Sequence, residues 1–124
     1  MQKNIVFIVE DDQFMRNLEA QKLQAEGFIV STATNGHTAL TLLKKNPEVA
    51  LIVLDLVLPE MSGYDLLETI KKEPTLAHIP VLIVSNLGQA EDVERAMKLG
   101  AKDYIIKANA TFAEIIKKIH EIIG

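Results

Sequence analysis

The chain lacks several features on which common classes of protein depend. Its 124 residues include no cysteine and no tryptophan, and aromatic residues make up 5% of them. Without cysteine, disulfides, thiolate metal sites and catalysis by a thiol are all excluded. Basic residues are not in excess, because 13 lysines and arginines stand against 17 acids and give a formal charge of −4. A direct nucleic-acid binder usually carries a basic stripe, so we predict no direct contact with nucleic acid.

Long apolar segments are also missing from the sequence. The longest uninterrupted apolar run covers residues 49–54, far below the roughly 20 residues of a membrane-spanning helix. The N-terminus reads Met-Gln-Lys-Asn, then a short apolar run and acids, which is not typical of a signal peptide. These patterns predict a cytoplasmic protein with no membrane partner. With 48% hydrophobic residues the chain can bury one core, and we expect a single domain over residues 1–124.

Short apolar runs alternate along the chain with stretches of helical period. This alternation predicts βαβ units and a mostly parallel sheet with helices on both faces. The third and fourth runs are almost wholly apolar, as strands covered on both faces must be, whereas the second is more polar and suits an edge. The predicted strands cover residues 4–9, 28–33, 49–54, 80–84 and 103–106.

Apolar stripes and capping residues locate the helices between these strands. Asp12 is placed as the N-cap of the first helix, Ser62 followed by Asp65 opens the third, and Gly27 and Gly100 lie where helices end. The predicted buried faces are Phe14, Met15, Leu18 and Ala25 in the first helix, Leu66, Leu67 and Ile70 in the third, and Phe112, Ile115, Ile116, Ile119 and Ile123 in the last.

Charged and hydroxyl side chains lie where four of the predicted strands end. They are Glu10 and Asp11 after the first strand, Asp55 after the third, Ser85 after the fourth and Lys107 after the fifth. Ligands of open parallel sheets bind beyond the carboxyl ends of the strands. Each signal alone is weak, but their joint placement predicts one site at one edge of the sheet.

The residue types at this edge suit phosphoryl chemistry. A carboxylate such as Asp55 can attack phosphorus and form an acyl phosphate without a general base. Two further acids, Glu10 and Asp11, would repel an anionic substrate unless a divalent cation lay among them, and Mg²⁺ accepts one or two carboxylates together with phosphate oxygens. The charge spread over the phosphoryl oxygens would be stabilised by Lys107 and by the hydroxyl of Ser85. We therefore predict a magnesium-and-phosphate site.

Four segments together resemble the receiver domain of two-component response regulators, the family typified by the chemotaxis regulator. They read VEDD after the first strand, LDLVLPEMSG around the third, IVSN at the fourth and GAKDYIIK at the fifth. The resemblance covers residues 3–123. It implies a flavodoxin-like (βα)₅ three-layer α/β sandwich whose parallel sheet has the strand order 2-1-3-4-5.

The resemblance also implies a metal site at the end of the first and third strands. Asp11 and Asp55 would be direct Mg²⁺ ligands, and Glu10 would act through a water molecule. The backbone carbonyl of Val57 would complete the ligands that the protein provides.

The same resemblance implies a switch that phosphorylation operates. Asp55 would accept the phosphoryl group, Lys107 would contact it, Ser85 would be the switch hydroxyl and Tyr104 its rotameric partner. A histidine kinase or phosphotransfer protein would donate the group, and the chain would catalyse only its own phosphorylation and dephosphorylation. The response would be a changed surface on helix 4, strand 5 and helix 5, read by an output protein or a fused domain, or used for homodimerisation.

Two residues depart from the pattern of the family. Ala108 follows Lys107 where the family usually has proline, and a non-proline residue strongly prefers a trans bond, so we expect a different loop path and a less firmly held lysine. Asn86 follows Ser85 in place of a small residue, and we expect it to narrow access to the site or to limit the swing of Tyr104.

The residues beside the expected path of an attacking water are apolar. Val57 and Leu87 occupy these positions, and neither side chain can orient a water molecule. We therefore predict slow self-dephosphorylation.

Basic residues on the expected output face allow two interpretations, an electropositive docking patch or an ordinary solvated surface. They are Arg95, Lys98, Lys102, Lys117 and Lys118.

Three other functions fit less well. A small-molecule phosphatase with an aspartyl nucleophile would need an acid two residues after Asp55, where Val57 stands. A nucleotide-binding domain would need a glycine-rich turn after the first strand, where the chain reads Glu-Asp-Asp-Gln. A receiver that binds partners without phosphorylation is the third alternative.

Scattered histidines show no metal-ligand spacing; they are His37, His78 and His120.

Overall fold

The structure is a computed structural model that describes residues 4–124. Residues 1–3, where the predicted domain and the resemblance begin, lie outside the described residues. The strands are β1 (Ile5–Val9), β2 (Ile29–Ala33), β3 (Leu51–Leu54), β4 (Val81–Ser85) and β5 (Asp103–Ile106). The helices are α1 (Gln13–Ala25), α2 (Gly36–Lys45), α3 (Gly63–Lys72), α4 (Ala90–Lys98) and α5 (Phe112–Ile123), with one turn of 3₁₀ helix at Lys107–Asn109.

The strands form a parallel sheet in the order β2-β1-β3-β4-β5. Apolar residues of α1 and α5 pack on one face, and those of α2, α3 and α4 pack on the other. This confirms the flavodoxin-like three-layer sandwich and the strand order that the resemblance implied. As predicted, β2 lies at an edge with most of its residues exposed, while β3 and β4 are buried at every position.

Alternation along the central strands divides the core into two layers. In β1, Val6 and Ile8 pack towards α1 and α5, whereas Phe7 and Val9 pack towards α2 and α3. Successive side chains of a strand point to opposite faces, so each central strand contributes to both layers. The register of the strands is therefore fixed by burial on both sides.

Every predicted strand is present; β5 has the predicted bounds and the other four differ from theirs by one or two residues. The largest error is at the third strand, which was predicted from residue 49 but begins at Leu51. The N–H of Val49 bonds to the carbonyl of Asn46 at 3.3 Å. This turn closes α2 and delays the start of the strand.

The predicted buried faces are confirmed for α3 and α5 but partly wrong for α1. Phe14 is 74% exposed and Ala25 is exposed, whereas Glu19 and Leu23 are buried. The helix is fixed at its start because Arg16 donates to the carbonyls of Glu10 and Asp11, at 3.1 and 3.3 Å. Ala20 and Leu23 of this helix pack in the core, so the buried face is that of Glu19 and Leu23 rather than that of Phe14.

Capping residues behave as predicted. The side chain of Asp12 accepts from the N–H of Met15 at 2.9 Å, and Ser62 caps α3 in the same way. Gly27 and Gly100, which follow α1 and α4, have φ of 95° and 107°, a left-handed conformation that favours glycine.

Candidate functional site

Three side chains from the ends of β1, β3 and β5 form one ion-paired cluster. Lys107 Nζ lies 2.8 Å from Asp55 Oδ2 and also donates to Glu10 Oε1. Both acids are buried, with 2% of Glu10 and 8% of Asp55 exposed. The sequence therefore predicted correctly that these three residues meet, although 52 and 97 positions separate the lysine from its two partners.

Burial and pairing act in opposite directions on the charges of this cluster. Burial raises the pKa of the Glu10 carboxyl above its usual value, although the bond from Lys107 counteracts part of that rise. Burial would lower the pKa of Lys107, but its bonds to Asp55 and Glu10 outweigh burial and hold the pKa above its usual value. The lysine is thus kept charged between the two acids.

Backbone hydrogen bonds place each acid at the sheet edge. The N–H of Asp55 bonds to the carbonyl of Val9 at 3.1 Å, which extends the ladder between β3 and β1 by one residue. The N–H of Val57 then turns back to Asp55 Oδ1 at 3.1 Å, and the N–H of Asp12 bonds to Glu10 Oε2 at 3.3 Å. Both carboxylates are therefore oriented by bonds to their own strand ends.

Gly63 is required for the approach of α3 to the end of β3. A Cβ at this position would lie 2.4 Å from Leu56 Cα and 2.5 Å from the carbonyl oxygen of Asp55. The Gly63 N–H bonds to the carbonyl of Leu56 at 2.9 Å, a contact that only a residue without a side chain permits. The glycine thus holds the backbone beside Asp55 in place.

A cleft of about 510 Å³ opens above the cluster. Its lining residues are Glu10, Asp11, Asp12, Met15, Asp55, Val57, Asn86, Lys107 and Ala108. Val57 lines the cleft with 57% of its surface exposed, and its place beside the path of an attacking water stays a prediction. Leu87 was predicted to flank the same path, but its side chain packs against the core, and Asn86 lines the cleft instead.

The structure shows the path of the chain at Ala108, where the family usually has proline. The lysine opens a turn of 3₁₀ helix, and Ala108, exposed at the cleft, follows it through a trans bond. Within this turn Lys107 still reaches both acids.

The donor types at the cleft fit Mg²⁺. Mg²⁺ in proteins commonly binds through one or two carboxylates and keeps several waters. Asp11 and Asp55 provide two carboxylates, and Asp11 is exposed at the cleft. In residues 4–124, no three acidic or histidine side chains are already placed together around a metal position, so the ligand set inferred from the resemblance remains a prediction.

Ser85 and Tyr104 both bond to the backbone of one residue, Leu87. Ser85 is fully buried, and its Oγ accepts from the N–H of Leu87 at 3.3 Å. The hydroxyl of Tyr104 donates to the carbonyl of Leu87, so this side chain is turned towards the loop after β4. Burial raises the pKa of Tyr104 to about 12, and the neighbouring Tyr64 acts in the same direction. The hydroxyl therefore remains a donor at neutral pH.

Some of the basic residues on the expected output face have partners within the chain. The guanidinium of Arg95 stacks on the ring of Tyr64, 4.0 Å from its centroid. Lys118 pairs with Asp103 at 3.0 Å and with Glu121 at 3.3 Å. Two of the five basic residues thus serve contacts within the chain.

Two residues near the site were not identified from the sequence. Glu19 is 4% exposed inside α1, and its position four residues after Met15 and before Leu23 was a signal for burial. Tyr64 directly follows Gly63 and packs between α3 and α4. Its role depends on Asp92 and Arg95, which no sequence spacing connects to it.

None of the helices in residues 4–124 has the length and apolarity needed to cross a membrane.

Comparison with known proteins agrees with this geometry. The family model of the response regulator receiver domain matches residues 6–120. The two-component response regulators ORR13 and ORR12 of Oryza sativa subsp. japonica are each 37% identical to the chain over 102 residues, which cover 82% of this chain and 84% of the relative.

Solved structures show the same fold. The receiver domain of a signal transduction histidine kinase from Syntrophus aciditrophicus has a TM-score of 0.87 at 28% identity, covering 97% of this chain and 89% of that one. The chemotaxis protein CheY4 of Vibrio cholerae has a TM-score of 0.90 at 21% identity, covering 98% and 99%. The resemblance read from four short segments is thus confirmed, and the chain belongs to the response regulator receiver domain family.

Proposed function

We propose that the chain is a phosphorylation-dependent switch of a two-component system, and that Asp55 accepts the phosphoryl group. The observation that carries this proposal is the contact of Asp55 Oδ2 with Lys107 Nζ at 2.8 Å, on the floor of the cleft. Because Oδ1 is held by the N–H of Val57, the carboxylate is oriented before any donor arrives. Such positioning provides much of the catalysis in phosphoryl transfer.

In the proposed reaction a carboxylate oxygen of Asp55 forms a bond to phosphorus while the N–P bond of a donor phosphohistidine breaks. The bonding electrons remain on the imidazole nitrogen, and with the other ring nitrogen of the donor protonated the histidine leaves as neutral imidazole. Lys107 would pair with a phosphoryl oxygen, and the hydroxyl of Ser85 would donate to another. Hydrolysis of the acyl phosphate would return the carboxylate, so the chain would act only on itself.

The same site would hold the metal that this chemistry needs. Asp11, Asp55 and the backbone carbonyl of Val57 would bind Mg²⁺ directly, and Glu10 would bind it through a water molecule. When bound, the ion neutralises charge on the phosphoryl oxygens.

Exposed apolar side chains beside the cleft support a protein donor. Phe14, next to the cleft-lining Met15, is 74% exposed, and Val57 is 57% exposed. A protein that carries a phosphohistidine would have to approach Asp55 through this cleft and would meet these side chains. We therefore infer a histidine kinase or phosphotransfer protein as the donor.

Output would come from a changed surface on α4, β5 and α5. A ligand shifts an equilibrium only through contacts that differ between its two states, and the bond from Ser85 Oγ to the phosphoryl group would be such a contact. An output protein, a fused domain or a second copy of the chain would read this surface.

The proposal is tested by intact mass after incubation with acetyl phosphate and Mg²⁺. We expect the addition of one phosphoryl group, which Asp55→Asn and metal chelation both abolish. Asp103→Asn is the matched control, because it removes a carboxylate from the same sheet away from the cleft, and it should still be phosphorylated. An unmodified native chain, or a modified Asp55→Asn variant, would contradict the proposal.

A further inference from the structure

On the proposed output surface of α4, β5 and α5, α4 is the less firmly packed of the two helices. Across Ala90–Lys98, a segment described in full, only Ala96 is buried, and Met97 is 42% exposed. An element that buries little apolar surface is displaced at low cost. The position of α4 must therefore depend on a few specific contacts.

One such contact is the hydroxyl of Tyr64, at the start of α3. It donates to Asp92 Oδ1 at 3.2 Å, with the carbonyl oxygen of Asp92 at 3.4 Å. The ring is 7% exposed, so the hydroxyl is held at a fixed position by the packing of its own side chain. Gly63, the residue before this tyrosine, lies directly against the backbone of Asp55 and Leu56. Tyr64 is therefore one residue away from a contact with the backbone of the proposed phospho-acceptor.

The side chain of Arg95, one turn further along α4, stacks on the same ring. The guanidinium carbon lies 4.0 Å from the ring centroid, a cation–π contact. Asp92 and Arg95 are three residues apart and lie on the same side of the helix. A single aromatic side chain thus engages α4 through a hydrogen bond and a stacked cation.

Asp92 connects this contact to the loop that follows β4. Its Oδ2 accepts from the N–H of Gln89 at 3.1 Å, within the capping box that starts α4. Two residues earlier, the carbonyl of Leu87 accepts from Tyr104. The loop is therefore held directly by Tyr104 at Leu87, and at Gln89 by Asp92, the residue that Tyr64 contacts.

We propose that Tyr64 is a positioning residue of the switch, whose contacts with Asp92 and Arg95 hold α4 in its resting arrangement and must loosen when Asp55 is phosphorylated. The inference that these contacts loosen rests on the proposed function. The contacts of Tyr64 with Asp92 and Arg95 in the unphosphorylated chain, called the resting clamp below, do not depend on that function. The resting clamp and its loosening are tested separately.

The resting clamp is tested by amide hydrogen exchange in the unphosphorylated chain. Tyr64→Phe keeps the ring and removes the hydroxyl, and we expect the amides of α4 to exchange roughly fivefold faster. The amides of α1 and α5 should be unchanged. Thr69→Val is the matched control, because it removes a hydroxyl bonded within α3 and should leave α4 as in the native chain. Equal exchange of α4 in Tyr64→Phe and the native chain, or a uniform rise across all helices, would overturn the clamp.

The switch is tested by the same measurement after phosphorylation. The native chain carrying a phosphoryl group should show exchange in α4 close to that of unphosphorylated Tyr64→Phe, and phosphorylation should change that variant much less. Undiminished protection of α4 in the phosphorylated native chain would overturn the role of Tyr64 in the switch. If no phosphoryl group is attached, the proposed function fails, while the comparison of unphosphorylated variants still decides the clamp.

Discussion

The hydroxyl of Tyr104 donates a hydrogen bond to the carbonyl of Leu87. The N–H of Leu87 donates to Ser85 Oγ at 3.3 Å, so one residue of the loop connects the proposed switch hydroxyl to the tyrosine. If Ser85 Oγ turned to a phosphoryl group, the N–H of Leu87 would lose its hydrogen bond to Ser85. The loop would then be held at Leu87 by Tyr104 alone. The two side chains are therefore expected to act on the same loop.

Removing either hydroxyl should loosen this loop. For Tyr104→Phe we expect the free energy of unfolding to fall by about 1 kcal/mol, the usual net value of one hydrogen bond, measured by urea denaturation. Ser85→Ala should cost a similar amount. Because the two bonds share Leu87, the double variant should lose measurably less or more than the sum of the single variants. Strict additivity would show that the two bonds are independent.

The cluster of Lys107 with its two acids predicts a large effect of removing the lysine. Lys107→Met leaves Glu10 and Asp55 buried without their cation, and breaking a buried pair in this way costs roughly 3–5 kcal/mol. The pKa of Glu10, already raised by burial, should rise further in the variant. A carboxyl whose folded pKa lies above its unfolded value loses stability as pH rises, so the deficit should be larger at pH 8 than at pH 5.

Urea denaturation of Lys107→Met at both pH values checks this expectation. Lys117→Met, on the exposed side of α5, is the control and should change little. Added Mg²⁺ should restore part of the lost stability, because in the proposed site it would bind the folded chain through Asp11 and Asp55. A deficit that does not depend on pH would contradict the electrostatic explanation.

The close approach at Gly63 predicts an intolerant position. In Gly63→Ala the new Cβ would overlap the backbone of Leu56 and Asp55, and backbone cannot move aside as a flexible side chain can. We expect a loss of several kcal/mol, at the upper end for single substitutions, seen as a lower denaturation midpoint. Gly88→Ala is the control, since its Cβ would meet Ile106 at an ordinary 3.5 Å. Similar losses in the two variants would refute the steric account.

Much of this arrangement follows from sequence pattern, and the parts that do not have a physical reason. Strands β3 and β4 were predictable because burial on both faces requires an unbroken apolar run. Asp55 and Lys107 were predictable because each directly follows apolar residues at the end of a predicted strand. The face of α1 was not, because its buried side includes the charged residue Glu19 and its exposed side includes Phe14, so the apolar stripe does not mark the buried face. The contact of Tyr64 with α4 was also out of reach, since it depends on tertiary placement alone.

The apolar side chain of Val57 predicts a long-lived phosphorylated form. In Val57→Asn, a polar group at the cleft could orient the attacking water, and we expect the acyl phosphate to decay faster, on the order of tenfold. Leu87→Glu should have a smaller effect, because Leu87 packs against the core and not into the cleft. Loss of the phosphorylated mass over time measures both rates. Unchanged decay in Val57→Asn would show that water orientation does not limit hydrolysis.

Glu19 predicts that stability depends on pH near neutrality. Its carboxyl is 4% exposed, and Oε1 has no hydrogen-bond partner among residues 4–124. Burial, and secondarily the charge of Glu10, raises its pKa from 4.5 to about 7. Because the folded chain then holds a proton that the unfolded chain releases above pH 4.5, stability should fall as pH rises from 4.5 through 7. The loss should total roughly 3 kcal/mol and level off above that range.

A pair of variants separates this titration from packing. Glu19→Gln removes the charge and keeps the shape, so the stability that it gains over the native chain should grow between pH 5 and pH 8. Glu19→Leu should gain more at every pH, because it also removes the buried polar group. Glu121→Gln, exposed on α5, should follow the pH dependence of the native chain. If Glu19→Gln keeps that same dependence, another group titrates, and the carboxyl of Glu19 is either hydrated or paired in solution.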